Sequence, residues 1–305
     1  MSFRTPSTTQ TRQTLLDLER TKERLALNQA RIGSGKRITR PGDDPTAVAL
    51  ILDFENSIQS NAQFLKQADS ALSFLKASEN AVSTAINEVT RLQEIAQQGL
   101  TSTNAGTGRA AMAQEVDALR TNLLALANTR EQGKYLFAGT QTQTIPFSDA
   151  APPAGPINYA GDAGTISLDV TVTTSVVTNV PGSTVFYGPT GQGSASDLFQ
   201  AVTNLRDGLA TNNATLIQTA ATSLQSVLAN LNQVQTDLGG RQAGLNDLKD
   251  TLSGFNVTLQ ELQNIQQDTD YARSVTDFTS DQTVQSASLS TLAKSQRNNL
   301  FDYLG

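Results

Sequence analysis

Apolar positions recur along this chain with two periods. Leu224, Leu231, Leu238, Leu245, Leu252 and Leu259 lie seven residues apart, and three residues after each stand Val227, Val234, Arg241, Leu248, Phe255 and Leu262. This is an a/d seam over six heptads, broken once at Arg241, as in a helix that packs along a partner helix. Upstream, Leu65, Ala68, Leu72, Leu75, Val82, Ile86 and Val89 follow spacings of three and four, with Glu79 as the interruption. No Gly or Pro occurs between Thr46 and Gln98, which predicts one helix of about 55 residues, roughly 80 Å long at 1.5 Å per residue. A helix of that length must pack along partners. A third helix is predicted after a polar turn over 99–109, with Met112, Val116, Leu119, Leu123 and Leu126 on one face.

The ends of the chain carry weaker tracks. Leu15, Leu18, Leu25 and Ile32 fit a heptad pattern interrupted by Lys22 and Gln29, and a last helix carries Tyr271, Val275, Phe278, Leu289 and Leu292 with Gln282 and Gln285 in its seam. Such mixed seams bury little as a single pair, so these helices are expected to become fully ordered on assembly. The boundaries are marked chemically. Gly33-Ser34-Gly35 ends the first helix. Asp43 or Asp44 can accept from the orphan N–H groups of the next, and Pro45 suits its first position. Asp268-Thr269-Asp270 offers the cap of the last helix.

Between the helical arms the period falls to two. Residues 165–172 alternate apolar with polar, and Val176–Val180 and Thr184–Tyr187 are further strand candidates among Pro and Gly turns. Six of the nine prolines lie here, and from Tyr135 to Leu205 there is no positive charge. Residues 1–40 hold nine Lys or Arg against three Asp or Glu. That basic tract reads as a solvated helix face or as a surface for electrostatic pairing with a neighbouring subunit.

Composition narrows the chemistry. The 305 residues include no Cys, His or Trp, and the net charge is −6. Thiolate and imidazole catalysis, disulfides and zinc clusters are thereby closed. Gly33-Ser34-Gly35-Lys36-Arg37 is not a phosphate loop, because Ala30 and Arg37 stand where Gly and Ser or Thr are required and a helix precedes it. The Asp43-Asp44 and Asp268/Asp270 pairs are explained by capping without a metal. The acidic balance opposes nucleic-acid binding, and the leucine register lacks a basic region before Leu224. No run of 18 apolar residues occurs, so no membrane span is expected, and residues 1–14 lack the apolar core of a cleaved signal. Asn213 and Asn256 each begin a glycosylation sequon, a motif short enough to occur by chance. No catalytic, metal or cofactor site is predicted.

Several segments resemble the flagellin superfamily, and in particular its hook–filament junction branch. They are Glu23-Arg24-Leu25 through Ile32-Gly33-Ser34-Gly35-Lys36-Arg37-Ile38; Arg40-Pro41-Gly42-Asp43-Asp44-Pro45; Tyr135-Leu136-Phe137-Ala138-Gly139-Thr140-Gln141-Thr142; Leu238-Gly239-Gly240-Arg241; Asp268-Thr269-Asp270-Tyr271-Ala272; and the ending Leu300-Phe301-Asp302-Tyr303-Leu304. The resemblance covers both arms and not residues 145–195. It implies a mainly α fold of long antiparallel coiled-coil helices from the N- and C-terminal arms, with a small β-rich inserted domain. The expected domains are a terminal helical domain (1–42 with 268–305), a long-helix domain (43–138 with 198–267) and a β-rich outer domain (139–197). It further implies a structural adaptor of the bacterial flagellum, exported without a cleaved signal through the type III apparatus with a chaperone. The adaptor would assemble as a ring between the first hook-associated protein and flagellin. Leu15, Leu18, Leu25, Ile32, Leu289, Leu292, Leu300, Phe301, Tyr303 and Leu304 are the candidate interface residues, the last four for axial contacts. A filament subunit is the nearest alternative, and a cytoplasmic coiled-coil scaffold a more distant one.

Overall fold

The computed structural model describes the backbone of residues 7–101, 107–150, 155–171 and 173–304, and the side chains of those from 12 to 294 apart from residue 107. Six α-helices are present among the described residues: α1 Ser7–Ser34, α2 Pro45–Leu100, α3 Thr107–Ala127, α4 Leu198–Ala210, α5 Ala214–Gln267 and α6 Tyr271–Leu304. Six short strands lie between α3 and α4: β1 Arg130–Glu131, β2 Lys134–Tyr135, β3 Phe147–Asp149, β4 Ile157–Tyr159, β5 Ser167–Asp169 and β6 Ser175–Val177. They pair antiparallel as β1–β2, β3–β4 and β5–β6. The fold is therefore mainly α with a small β-rich insert. No helix among the described residues is long and apolar enough to cross a membrane. The chain divides into two compact units, a central one (Asn61–Gly254) and a terminal one (Met1–Ser60 with Phe255–Gly305).

In the central unit the heptads of α5 meet the long track of α2. Leu224, Leu231, Leu238 and Leu245 are fully buried together with Leu75, Val82 and Val89. Burial of each such side chain contributes about 1.5–3 kcal/mol, so the shared stripe explains why the helices pair. They run antiparallel: Lys249 Nζ pairs with Asp69, and Gln242 Nε2 donates to Glu79 Oε2 at 3.0 Å. Glu79, the interruption of the α2 track, thus sits in a polar contact within the seam. The other interruption, Arg241, donates from Nη1 to the carbonyls of Val177 (3.3 Å) and Asn179 (3.2 Å) and pairs through Nη2 with Asp237 at 2.6 Å. The break in the α5 heptads is an anchor for the β5–β6 hairpin.

The insert differs in places from its sequence pattern. Residues 184–187 are not a strand but part of a π-helical turn, Ser183–Tyr187, directly after Pro181-Gly182. The turn carries Val185, Phe186 and Tyr187 all into the core, which an alternating strand cannot do. Phe186 meets Phe137 and Phe147 edge-on, with ring centroids 5.2 Å apart in each case. The strand expected over 165–172 extends only from Ser167 to Asp169, and Val172 lies outside the described residues. The β1–β2 hairpin turns on Gln132 (φ +50°) and Gly133 (φ +79°), the two positive φ angles of a two-residue type I′ loop. Arg120 of α3 holds the insert from below: its Nη1 pairs with Asp149 Oδ2 of β3 at 2.6 Å and its Nη2 donates to Gly155 O at 2.6 Å, all buried.

In the terminal unit α1 and α6 pack antiparallel. Tyr271 Oη donates to Ile32 O at 2.8 Å near one end, and Asn28 Nδ2 donates to Asp281 Oδ2 at 3.0 Å farther along. Gly35 ends α1 at φ +72°, a conformation that favours glycine. The turn after it is stitched to the turn before α6: Thr269 N–H donates to Gly35 O (2.9 Å), Arg37 N–H to Gln267 O (2.7 Å) and Arg37 Nη2 to Gln266 O (3.0 Å).

Candidate functional site

The caps come first, because they set where each terminal helix begins. Asp44 precedes α2 and its Oδ1 accepts from Ala47 N–H at 3.1 Å, with Pro45 in the first helical position. The Ala47 N–H holds the Asp44 carboxyl below the usual carboxylate range, with Arg37 beside it. Asp43 works in the preceding turn, where its Oδ2 accepts from Thr39 N–H (3.0 Å) and Arg40 N–H (2.9 Å); these bonds likewise lower its pKa. Gly33 is exposed near the end of α1 and Gly35 makes the turn. Asp270 caps α6, accepting from Arg273 N–H at 3.1 Å. These carboxylates are committed to backbone N–H groups. No three of Asp, Glu, His and Cys are grouped to hold a metal among the described residues.

What the α1–α6 seam contains decides what is left outside. The inward positions of α1 are Thr14, Leu18, Thr21, Leu25, Asn28 and Ile32, and those of α6 are Ser274, Phe278, Asp281, Gln285, Ser288 and Leu292. Both tracks follow helical spacings of three and four. The α6 track is largely polar: Phe278, Gln285 and Leu292 face inward as the sequence track has them, whereas Ser274, Asp281 and Ser288 take the places it gave to Val275, Gln282 and Leu289. Tyr271, Val275, Val284 and Leu289 consequently face solvent. Of the candidate interface residues, Leu18 is buried within the chain, and Leu25, Ile32 and Leu292 are half-buried. Leu15 and Leu289 are each 46% exposed. Leu300, Phe301, Tyr303 and Leu304 belong to α6, but their side chains lie outside the described residues.

The α5 seam divides in the same way. Leu224, Leu231, Leu238, Leu245 and Leu252 are buried, whereas Leu259 is half-buried, Leu262 is exposed and Phe255 is 61% exposed. Val257 and Ile265 are exposed further still. Among the described residues, twelve of the thirteen exposed large hydrophobic side chains belong to the terminal unit; the other is Ile145. Contiguous exposed apolar surface on a soluble chain marks an interaction site. The arrangement offers faces for other helices. The sequence signalled weak seams at the ends, yet gave no sign that the six-heptad register stops being buried after Leu252. It also missed the buried Arg120–Asp149 pair and the Asp197 cap of α4, whose Oδ1 accepts from Gln200 N–H at 3.1 Å.

The chain is similar to known proteins over most of its length. Residues 7–142 match the bacterial flagellin N-terminal helical region. The flagellar hook-associated protein 3 of Escherichia coli strain K12 is 27% identical over 291 residues, covering 88% of this chain and 90% of that protein. A putative flagellar hook-associated protein from Vibrio parahaemolyticus has a similar fold, with a TM-score of 0.67 at 17% identity over 74% of this chain and 99% of its own. The flagellar junction protein FlgL from Legionella pneumophila superposes with a TM-score of 0.58 at 20% identity, over 73% of this chain and all of its own.

Proposed function

We propose that the chain is a flagellin-superfamily protein of the hook-associated protein 3 type, and that it is the structural adaptor between the hook-associated ring and the flagellin filament. The observation that carries this reading is that, among the described residues, twelve of the thirteen exposed large hydrophobic side chains lie in the terminal unit. A subunit that works by docking end to end with unlike neighbours needs sticky terminal helices and a self-sufficient middle, and the two units divide in that way.

The reading assigns residues 1–42 with 268–305 to an inner domain ordered by assembly, 43–138 with 198–267 to a surrounding long-helix domain, and 139–197 to an outer domain. Self-association forms a ring. One axial face meets the first hook-associated protein and the other meets flagellin. Leu15 and Leu289, exposed in the single chain, take part in these contacts together with Leu300, Phe301, Tyr303 and Leu304. The chain reaches the outside of the cell through the flagellar type III apparatus, held before export by a chaperone. The role is mechanical and not enzymatic; the absence of His and Cys from the sequence is in keeping with it. A filament-subunit role is disfavoured by the Arg40–Pro45 cap and by the Leu300–Leu304 ending, both of which resemble the junction branch.

Truncation tests the proposal. Removing residues 296–305 is expected to leave the thermal unfolding of the central unit unchanged while hooks lose their filaments and flagellin is shed into the medium. Filaments that attach normally to such hooks would contradict it.

A further inference from the structure

Two shallow grooves of about 490 and 480 Å³ flank Arg24 and Leu27 on α1. The larger is lined by Arg20, Arg24 and Arg40 with Ala26, Leu27 and Ala30, and Glu23 is the acidic residue among its walls. Arg20 and Arg24 keep most of their surface in solvent even while pairing with Asp17 and Asp281. The groove therefore presents cationic heads around a small apolar strip. Elsewhere in the same unit is a surface of the opposite sign. Residues 41–60 and 255–272 contain Asp43, Asp44, Asp53, Glu55, Glu261, Asp268 and Asp270 and no Lys or Arg of their own, although Arg37 pairs with Asp44 and donates to Gln266 O. On α2, Leu52 and Glu55 share a face. On α5, Glu261, Leu262 and Ile265 do the same, and Gln263 Nε2 donates to Glu55 Oε1 at 2.9 Å, which ties the two helices together there. Leu52 is exposed and Ile265 is 67% exposed.

We propose that the Arg20–Arg24–Arg40 groove of one chain receives the acidic, apolar α2–α5 face of a second copy. Charge complementarity selects the partner: cationic rims meet the Glu55 and Glu261 carboxylates, and Leu27 and Ala30 meet Leu52, Leu262 and Ile265. The two surfaces are different, so the contact is head-to-tail and repeats around a ring or a helix instead of closing as a twofold dimer. The inference deepens the proposed ring assembly and rests on it. It names the lateral surface, with salt-sensitive steering from its charges.

The chain has no cysteine, so introduced thiols are unique. The variants Ala30→Cys and Ile265→Cys are expressed singly and together as a mixture, and flagella verified by antibody to contain the chain are sheared off and treated with a bifunctional maleimide. A chain–chain dimer is expected from the mixture and from neither variant alone. Adding Arg20→Glu and Arg40→Glu to the Ala30→Cys chain should lower the dimer yield by at least about fivefold, equivalent to roughly 1 kcal/mol, and Glu55→Lys with Glu261→Lys in the other chain should restore it. A dimer from one variant alone, no dimer from the mixture, or a crosslink to a different protein would overturn this interface. Absence of the chain from flagella would instead count against the proposed function itself.

Discussion

Asn28 of α1 donates to Asp281 of α6 at 3.0 Å, and both side chains are buried in a seam where a coiled coil would place apolar residues. Arg24 pairs with the other oxygen of the same carboxylate at 3.2 Å. The contact fixes the register of the terminal helices, because a slip by one turn would strand both polar groups.

Replacing Asp281 by Ala should leave Asn28 buried without its acceptor and destabilise the α1–α6 pair by about 1–3 kcal/mol. Hydrogen exchange of the α1 amides would show the loss as faster opening there, with the central unit unaffected. The double replacement Asn28→Leu, Asp281→Leu should cost much less, because neither helix then carries an unpaired group.

The buried Arg120–Asp149 pair joins α3 to β3. Asp149→Ala leaves a guanidinium in the core and is expected to cost about 3–5 kcal/mol. Urea unfolding would register this as a lower midpoint at unchanged slope. Replacing both partners by apolar residues of similar size should recover most of the loss.

Asp197 caps α4 and accepts from Gly193 N–H at 2.7 Å. Burial pushes its carboxyl above the ordinary range in spite of these bonds. The folded chain therefore holds this proton more tightly than the unfolded chain. Its contribution to stability is complete below the ordinary carboxylate pKa and declines as pH rises through the raised value. Asp197→Asn keeps an acceptor without the charge, so its Tm relative to the native chain should increase from acidic to neutral pH. Asp197→Ala removes the cap and should cost about 1 kcal/mol at acidic pH and less at neutral pH.

The α5 seam predicts a contrast between two positions of one repeat. Leu231 is fully buried and Phe255 is 61% exposed. Leu231→Ala should destabilise the isolated chain by about 2–5 kcal/mol. Phe255→Ala should leave its Tm almost unchanged and reduce incorporation into flagella, measured by comparing thermal melts with immunoblots of sheared flagella.

Much of this architecture was legible in the sequence because its signals are local and periodic. The leucine heptads, the Asp44-Pro45 start and the Gly35 stop each act through neighbours a few residues away. What escaped depends on long-range packing. The π-helical turn at Ser183–Tyr187 exists because Phe186 has Phe137 and Phe147 to meet, and Arg241 breaks the heptads for the sake of carbonyls more than sixty residues away. Half of the α6 stripe was legible, at Phe278, Gln285 and Leu292; the rest was misread because Ser274, Asp281 and Ser288, polar but turned inward, occupy positions that the sequence track gives to Val275, Gln282 and Leu289. The exposure of Phe255, Leu262 and Ile265 could not be read from a repeat that continues unchanged in composition past Leu252.

The central claim is a role at one place on the flagellum, and position is its most direct test. Gold-labelled antibody raised against residues 145–195, applied to intact flagella under the electron microscope, should mark a single band at the boundary between hook and filament. Label distributed along the filament, or none on flagella that are otherwise complete, would contradict it.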